Sequence, residues 1–447
     1  MKNISFKGGI HPPGNKAYTK DESIEKAELP KEVHIPLQQH IGAPAEPIVK
    51  VGDTIKTGQM IGKAGGYVSA PVHASLSGEV VNIAPYPHPM GQNVSTITIK
   101  SDQKDEWITL SNKDEDIQNL SKDDLLKGIM DAGIVGLGGA AFPCHVKLKP
   151  PADKPIDTLL INGAECEPYL NSDYRLMLER ADDIVAGIDI LIKIMQVKNV
   201  YLGIEDNKPD AFDVMEKSVK SAGKQNLIKV VTLQTKYPQG GEKQLIQAIT
   251  NRQVPPPPAL PMDVGVVVHN VGTALAVFEA VQFKKPLIER VVSITGPGIK
   301  RPRNLLVRLG TTIEELINQC GGLSSNPYKV IMGGPMMGIA QYDLHVPVIK
   351  GTSGILVLPE NGTVNEDNEY YTCIRCKRCL VACPMELIPS QIGILCEKGK
   401  FEELEEYVIM SCMECGSCTY VCPSKRPLVQ FIKYGKSELL KRRRKGN

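Results

Sequence analysis

Cys373-Ile-Arg-Cys376-Lys-Arg-Cys379-Leu-Val-Ala-Cys383-Pro384 and Cys412-Met-Glu-Cys415-Gly-Ser-Cys418-Thr-Tyr-Val-Cys422-Pro423 are one phrase, C-x2-C-x2-C-x3-C-P, written twice. Three thiolates at three-residue steps wrap one face of an iron-sulfur cube, with loop N–H groups aimed at its sulfurs, and leave the fourth corner to a cysteine from elsewhere. Each proline fixes φ and removes an N–H just after the more distant cysteine. A pair of zinc sites is the competing reading. Zinc modules pair two C-x2-4-C knuckles, which leaves the third cysteine and the C-P of each run without a role. A disulfide framework is the other alternative, but crowded thiols in a long chain with no secretion signal point to a reducing compartment.

The segment resembles a two-[4Fe-4S] ferredoxin domain. In that arrangement the fourth ligand of each cluster comes from the other copy. The resemblance therefore implies Cys373, Cys376 and Cys379 with Cys422, and Cys412, Cys415 and Cys418 with Cys383.

Outward from this segment, composition narrows the class. A chain of 447 residues has room for about three domains. Its 52 Lys and Arg balance 50 Asp and Glu, and aromatics are only 5%, so neither a global positive field nor base-stacking platforms point to nucleic acid. The N-terminus has no apolar signal core. The most apolar helical run, Ile184 to Met195, is too short to span a bilayer and is interrupted by Asp189 and Lys193. The expectation is a soluble or peripheral protein on the cytoplasmic side, attached to a membrane through partners.

Taken in order, residues 1–30 read as an extension without regular elements, followed by short β-patterned runs over 31–100. The phrase Val49-Lys-Val-Gly52-Asp53-Thr-Ile-Lys-Thr-Gly58-Gln59-Met-Ile-Gly62 is similar to a lipoyl or biotinyl carrier, a barrel-sandwich. Gly62-Lys63-Ala64-Gly65-Gly66 replaces the carrier lysine between methionines, which favours a structural module without a swinging arm. Residues 101–120 read as a linker, and a helix follows, capped by Ser121 with Asp124 at N3. From Thr158 strands alternate with helices: strands at 158–161, 199–204, 227–233 and 264–269, helices at 174–195, 210–221, 242–249 and 274–282. That pattern predicts a parallel sheet with helices on its faces over 121–289. A smaller α+β unit spans 290–345, a linker 346–370, the cysteine segment 371–432 and a solvated basic tail 433–447. The whole is a multidomain α/β chain.

Four loops carry the second signal. Gly136-Leu-Gly138-Gly139-Ala-Ala-Phe142, with Lys147 after it, offers small residues, backbone N–H groups and a charge to a phosphate. Asn162-Gly-Ala-Glu165-Cys-Glu167 follows the first strand. Tyr237-Pro-Gln-Gly-Gly-Glu242 and Asn270-Val-Gly-Thr273 come later. Taken singly, each is also an ordinary glycine-rich turn or solvated loop. Together, in order and spacing, they resemble the FMN- and NADH-binding subunit of respiratory complex I, with 290–345 resembling its β-grasp domain and 121–289 its Rossmann-like domain. The resemblance implies Gly136, Gly138, Gly139, Lys147, Asn162, Glu165, Asn270 and Thr273 at FMN, and Phe142, Glu167, Tyr237 and Glu242 toward NAD(H), with Glu167 and Glu242 as the catalytic candidates. Leu137, Ala141, Ala164 and Gly241 depart from that family, which carries Arg, Gly, Asp and Glu there.

The order of carrier-like module, flavin domain, β-grasp unit and dicluster segment resembles the C subunit of the Rnf complex, the membrane-bound ion-translocating ferredoxin:NAD oxidoreductase. This implies a peripheral subunit that moves electrons between NAD(H), FMN and two [4Fe-4S] clusters and joins integral membrane and iron-sulfur partner subunits. A microcompartment cobalamin reductase and a non-catalytic iron-sulfur relay are the alternatives. Neither a nucleic-acid partner nor a translocating residue on this chain is expected.

Overall fold

The computed structural model describes residues 4–110, 117–324, 326–359 and 370–445. Its first strand, β1 (Ile24–Lys26), lies in the stretch expected to hold no regular element. Three residues carry no readable period, and the partner strand is far along the chain. The strands β2 (Glu32–Pro36), β3 (Glu46–Pro47), β4 (Thr54–Ile55), β5 (Met60–Lys63), β6 (Val72–His73), β7 (Gly78–Pro87) and β8 (Asn93–Ser101) then form two small sheets, ordered β2-β8-β7-β4 and β3-β5-β6. Val33, Ile35, Ile61, Val72, Ile97 and Ile99 fill the space between them. Each such fully buried aliphatic side chain contributes about 1.5–3 kcal/mol. At the end of β5, Lys63 pairs with Glu46 at 3.0 Å.

The predicted alternation then appears as α1 (Lys122–Asp131), α2 (Cys144–Lys147), β9 (Thr158–Gly163), α3 (Ser172–Glu179), α4 (Ala181–Met195), β10 (Asn199–Glu205), α5 (Pro209–Ser221), β11 (Ile228–Leu233), α6 (Glu242–Thr250), β12 (Val266–Asn270) and α7 (Val271–Phe283). Ser121 and Asp124 make a reciprocal capping box on α1. The four strands are parallel, in the order β11-β10-β9-β12. Leu159 and Ile161 point into one core with α1, α4 and α7, whereas Leu160 points into the other with Leu245 and Ile246 of α6. This alternation of side-chain direction along a strand requires helices on both faces.

The single helix expected over 174–195 is two. Arg180 leaves helical geometry at φ −133° and ψ 32°, and its guanidinium pairs with Asp183 and Glu279. The apolar period runs on across the break, so the pattern alone cannot see it. Gly187 explains how closely α4 crosses α7, since a Cβ there would lie 1.9 Å from the Ala274 carbonyl oxygen.

The next unit contains β13 (Glu289–Thr295), β14 (Arg303–Arg308), α8 (Ile313–Gln319), β15 (Pro327–Met332), β16 (Ile339–Gln341) and β17 (Gly354–Pro359). Its sheet is ordered β1-β14-β13-β17-β15-β16. The stretch read as a linker over 346–370 thus supplies an interior strand, β17, whose apolar run is buried between β13 and β15. The loop expected at 361–370 lies, up to Glu369, outside the described residues.

The cysteine segment folds as α9 (Arg378–Ala382), α10 (Pro389–Glu397), α11 (Ser417–Tyr420) and α12 (Leu428–Lys445). The second copy repeats the first at an offset of 39 residues, Cys373 to Cys412, and the offset also carries α10 to α12. Residues 433–445, expected as a solvated tail, continue α12. Leu428, Ile432 and Leu439 pack it into the segment's core, and Lys436 donates to the Cys412 carbonyl at 2.8 Å. Among the described residues no helix is long and apolar enough to cross a membrane.

Candidate functional site

β9 is flanked by β10 on one side and β12 on the other, so the chain reverses direction across the sheet at β9 and β12. Ligands in such folds sit beyond the carboxyl ends of the strands at that switch point. The loops after β9 and β12 carry Asn162 to Glu167 and Asn270 to Thr273, and the glycine loop crosses the same point. Leu137 N donates to Thr273 Oγ1 at 2.9 Å, and Gly136 N donates to the Phe142 carbonyl at 2.8 Å. Asn270 caps α7, accepting from Gly272 N at 2.8 Å, and donates to Asp173 at 2.6 Å. Asn162 donates to the Gly240 carbonyl at 2.8 Å and accepts from Ala164 N at 3.1 Å. The structure gathers all twelve candidate side chains and glycines onto one open cleft. Gly139, at φ +105° with free space where a Cβ would be, leaves its backbone open to that cleft.

The charged candidates have distinct environments. Lys147 and Glu242 form an ion pair across the cleft at 2.6 Å. Glu165 caps α3, accepting from Asp173 N at 2.8 Å and Tyr174 N at 3.0 Å, so its carboxylate anchors the loop. Glu167 is half-buried and accepts from Met336 N at 3.1 Å and Met337 N at 2.9 Å; desolvation pushes its carboxyl upward against those two donors. The Tyr237 hydroxyl donates to the Cys415 carbonyl at 2.9 Å and lies 3.4 Å from Glu167 Oε1. Glu167 and Tyr237 therefore connect the cleft to the second cysteine loop.

Two residues escape sequence reasoning. Lys16 is half-buried and donates to the carbonyls of Glu165 at 2.8 Å, Glu167 at 2.9 Å and Leu170; desolvation lowers its ammonium to about 8. No local signal announces it. Asp173 is half-buried in the cleft wall, where desolvation first and then Glu165 raise its carboxyl. Its only trace in the sequence is an acid in the first turn of a helix. The same N-terminal segment that holds Lys16 runs between cleft and cysteines: Gly9 N donates to Ala382 O and Ile10 N to Tyr237 O, both at 2.9 Å. Gly8, at φ +81°, packs so tightly that a Cβ would lie 2.6 Å from the Cys383 carbonyl.

Four of the eight motif cysteines, Cys383, Cys412, Cys415 and Cys418, are brought together around one small apolar cavity. Cys379 lies near Cys373 and Cys422, Cys412 and Cys418 lie near Cys415 and Cys383, and Cys383 is also near Cys379. Arg375, Lys377 and Glu386 adopt positive φ, and so do their repeat counterparts Glu414, Gly416 and Lys425. Alternation of this kind turns successive N–H groups inward as an anion-binding nest. Leu387 N donates to Cys383 Sγ at 3.3 Å and Glu414 N to Cys412 Sγ at 3.4 Å. Four sulfurs with inward N–H donors suit a cluster. Of the remaining cysteines, Cys166 accepts from Gly240 N at 3.3 Å, and Cys144, Cys320 and Cys396 are buried.

Comparison with known proteins agrees with this geometry. Residues 4–104 match the RnfC barrel sandwich hybrid domain, 129–279 the Nuo51 FMN-binding domain, 291–340 the SLBB domain and 372–425 the 4Fe-4S dicluster domain. The chain is 51% identical over 435 residues to the C subunit of the proton-translocating ferredoxin:NAD(+) oxidoreductase complex of Clostridium ljungdahlii, covering 97% of this chain and 94% of that one. It is 45% identical over 448 residues to the Na(+)-translocating counterpart of Acetobacterium woodii, covering 100% of both. The chain belongs to the family of C subunits of ion-translocating ferredoxin:NAD(+) oxidoreductase complexes. A NAD(+)-reducing [NiFe]-hydrogenase structure shares its fold at a TM-score of 0.52 and 16% identity, covering 74% of this chain and 63% of that one. In this RnfC-family chain an FMN domain and a dicluster domain thus share one polypeptide. The open glycine loop beside Lys147, at the switch point, suits a flavin phosphate.

Proposed function

We propose that this chain is the NAD(H)-reactive electron-transfer subunit of an ion-translocating ferredoxin:NAD oxidoreductase, peripheral on the cytoplasmic side of the membrane and joined there to integral membrane and iron-sulfur subunits. One observation carries the reading. The cleft that gathers the flavin candidates ends at the second cysteine loop, where Tyr237 reaches the Cys415 carbonyl.

FMN, when bound, takes two electrons from a nicotinamide as a hydride and releases them singly, which matches a two-electron donor to one-electron clusters. The chain's own residues do the rest. Gly136, Gly138 and Gly139 let backbone N–H groups approach a phosphate, and Lys147 turns from Glu242 to supply charge. Phe142 and Glu242 remain on the open side of the cleft, available to a dinucleotide. Glu167 and Tyr237 fix the wall between cleft and cluster loop. Cys373, Cys376, Cys379 with Cys422, and Cys412, Cys415, Cys418 with Cys383, would hold the two clusters.

An anaerobic visible spectrum of the purified, cluster-reconstituted chain, recorded before and after NADH, tests this. Bleaching of a flavin band is the expected result. A broad cluster band alone, unchanged by NADH, would overturn the reading.

A further inference from the structure

The 39-residue repeat gives each position of the first cysteine loop a counterpart in the second, and the two copies are covered differently. In the second, Cys415 is only 7% exposed. Tyr237 donates to its carbonyl, Met413 packs against Gly241, and Gly416 lies against the Met336 carbonyl. That loop is docked on the elements that form the cleft.

In the first copy the counterparts face solvent. Cys376 is exposed and Ile374 is 67% exposed; Val381 on α9, whose counterpart Tyr420 is also exposed, is 77% exposed. Around them stand Arg375, Lys377 and Arg378, with Lys425 three residues beyond Cys422, all exposed. None of these four cations has an ion-pair partner among the described residues. Cluster-loop folding does not require their charge, because the second copy carries Glu414, Gly416 and Ser417 opposite the first three. Exposed apolar side chains among cations without a counter-charge among the described residues, all within three residues of the proposed cluster ligands, match the anatomy of a steered protein interface.

We propose that this face is the docking surface for the next electron carrier, a protein whose own redox centre is ringed by Asp and Glu side chains. The proposal rests on the functional reading above. One electron crosses this face between the partner's centre and this chain, one being oxidised as the other is reduced; no bond or proton moves.

The test uses the full chain, loaded with flavin and clusters, in membranes holding the remaining subunits of its complex. Carbodiimide, which couples lysine to carboxylate without a spacer, is expected to join Lys377 or Lys425 to Asp or Glu of another subunit. Coupling of other lysines with none from these two would overturn the proposal. Arg378→Glu and Val381→Asp are then compared with a Lys441→Glu/Arg442→Glu control on α12, with iron content as the check on assembly. Delivery of electrons from NADH to the membrane complex is expected to fall at least tenfold for the loop variants, with the control near wild type. Delivery unchanged, or lost equally in the control, would overturn it. A wild-type chain that NADH does not bleach would refute the functional reading instead, and the cross-link would then decide the docking face by itself.

Discussion

Lys147 and Glu242 show why a charge in the cleft is better read as a ligand group than as a staple. Both are partly exposed, and a pair of that kind is worth about 0–1 kcal/mol. Lys147→Met is therefore expected to leave the melting temperature nearly unchanged. Loss of a charge-assisted hydrogen bond to phosphate, worth about 1.5–3 kcal/mol, should weaken flavin retention about 10- to 100-fold. Equilibrium dialysis against FMN, with iron assayed in parallel, measures this; equal retention would place the phosphate elsewhere. Tyr237 is the opposite case, fully enclosed with its hydroxyl committed. Tyr237→Phe leaves the Cys415 carbonyl without that donor, at a cost of about 1–3 kcal/mol. Stopped-flow spectra should show flavin bleaching by NADH preserved while cluster bleaching slows. Both residues were legible as candidates, but only the fold distinguishes the open pair from the buried connector.

The repeated cysteine element makes a sharper claim. Because Cys383 lies with Cys412, Cys415 and Cys418, Cys383→Ser is expected to remove the same cluster as Cys415→Ser, although Cys383 belongs to the first motif. Electron paramagnetic resonance of the two reduced variants should show one shared loss, and Cys379→Ser should remove the other signal; loss of different signals in the first pair would refute the pairing. The repeat was legible because cluster ligation demands a strict spacing of one residue type. α12 was less so. Its Lys441 to Lys445 run reads as solvated charge, yet Leu428, Ile432 and Leu439 recur on one face and hold the helix down.

Lys350 joins three units of the molecule. Its ammonium donates to Pro71 O at 2.8 Å and Gly133 O at 2.7 Å, while its own carbonyl accepts from Arg290. Burial lowers it to about 7 from an ordinary 10.5. The folded state therefore favours the neutral amine, and the unfolded chain binds more protons between pH 7 and 10.5. This group's contribution to stability accordingly rises with pH across that window and is lowest below pH 7. Lys350→Met should flatten the rise. It also leaves two carbonyls unsatisfied, so its melting-temperature deficit should be largest near pH 10 and shrink toward pH 7. Thermal melts over that range check the slope, and a deficit independent of pH would refute it.

By itself, the sequence determined the chemistry: eight cysteines at cluster spacing, glycine-rich loops after strands, and the alternation that makes a parallel sheet. These are local or periodic, and each follows from geometry that a few consecutive residues must satisfy. Only the tertiary structure decided how the parts touch. The strand pairing of Ile24–Lys26, the interior place of Gly354–Pro359, the hydrogen bond of Lys16 to the Glu165 carbonyl and the Tyr237 contact with Cys415 all join residues remote in the chain. Pairing across such separations depends on which buried polar groups and apolar faces find partners when the whole chain closes, and that leaves no period or motif to read.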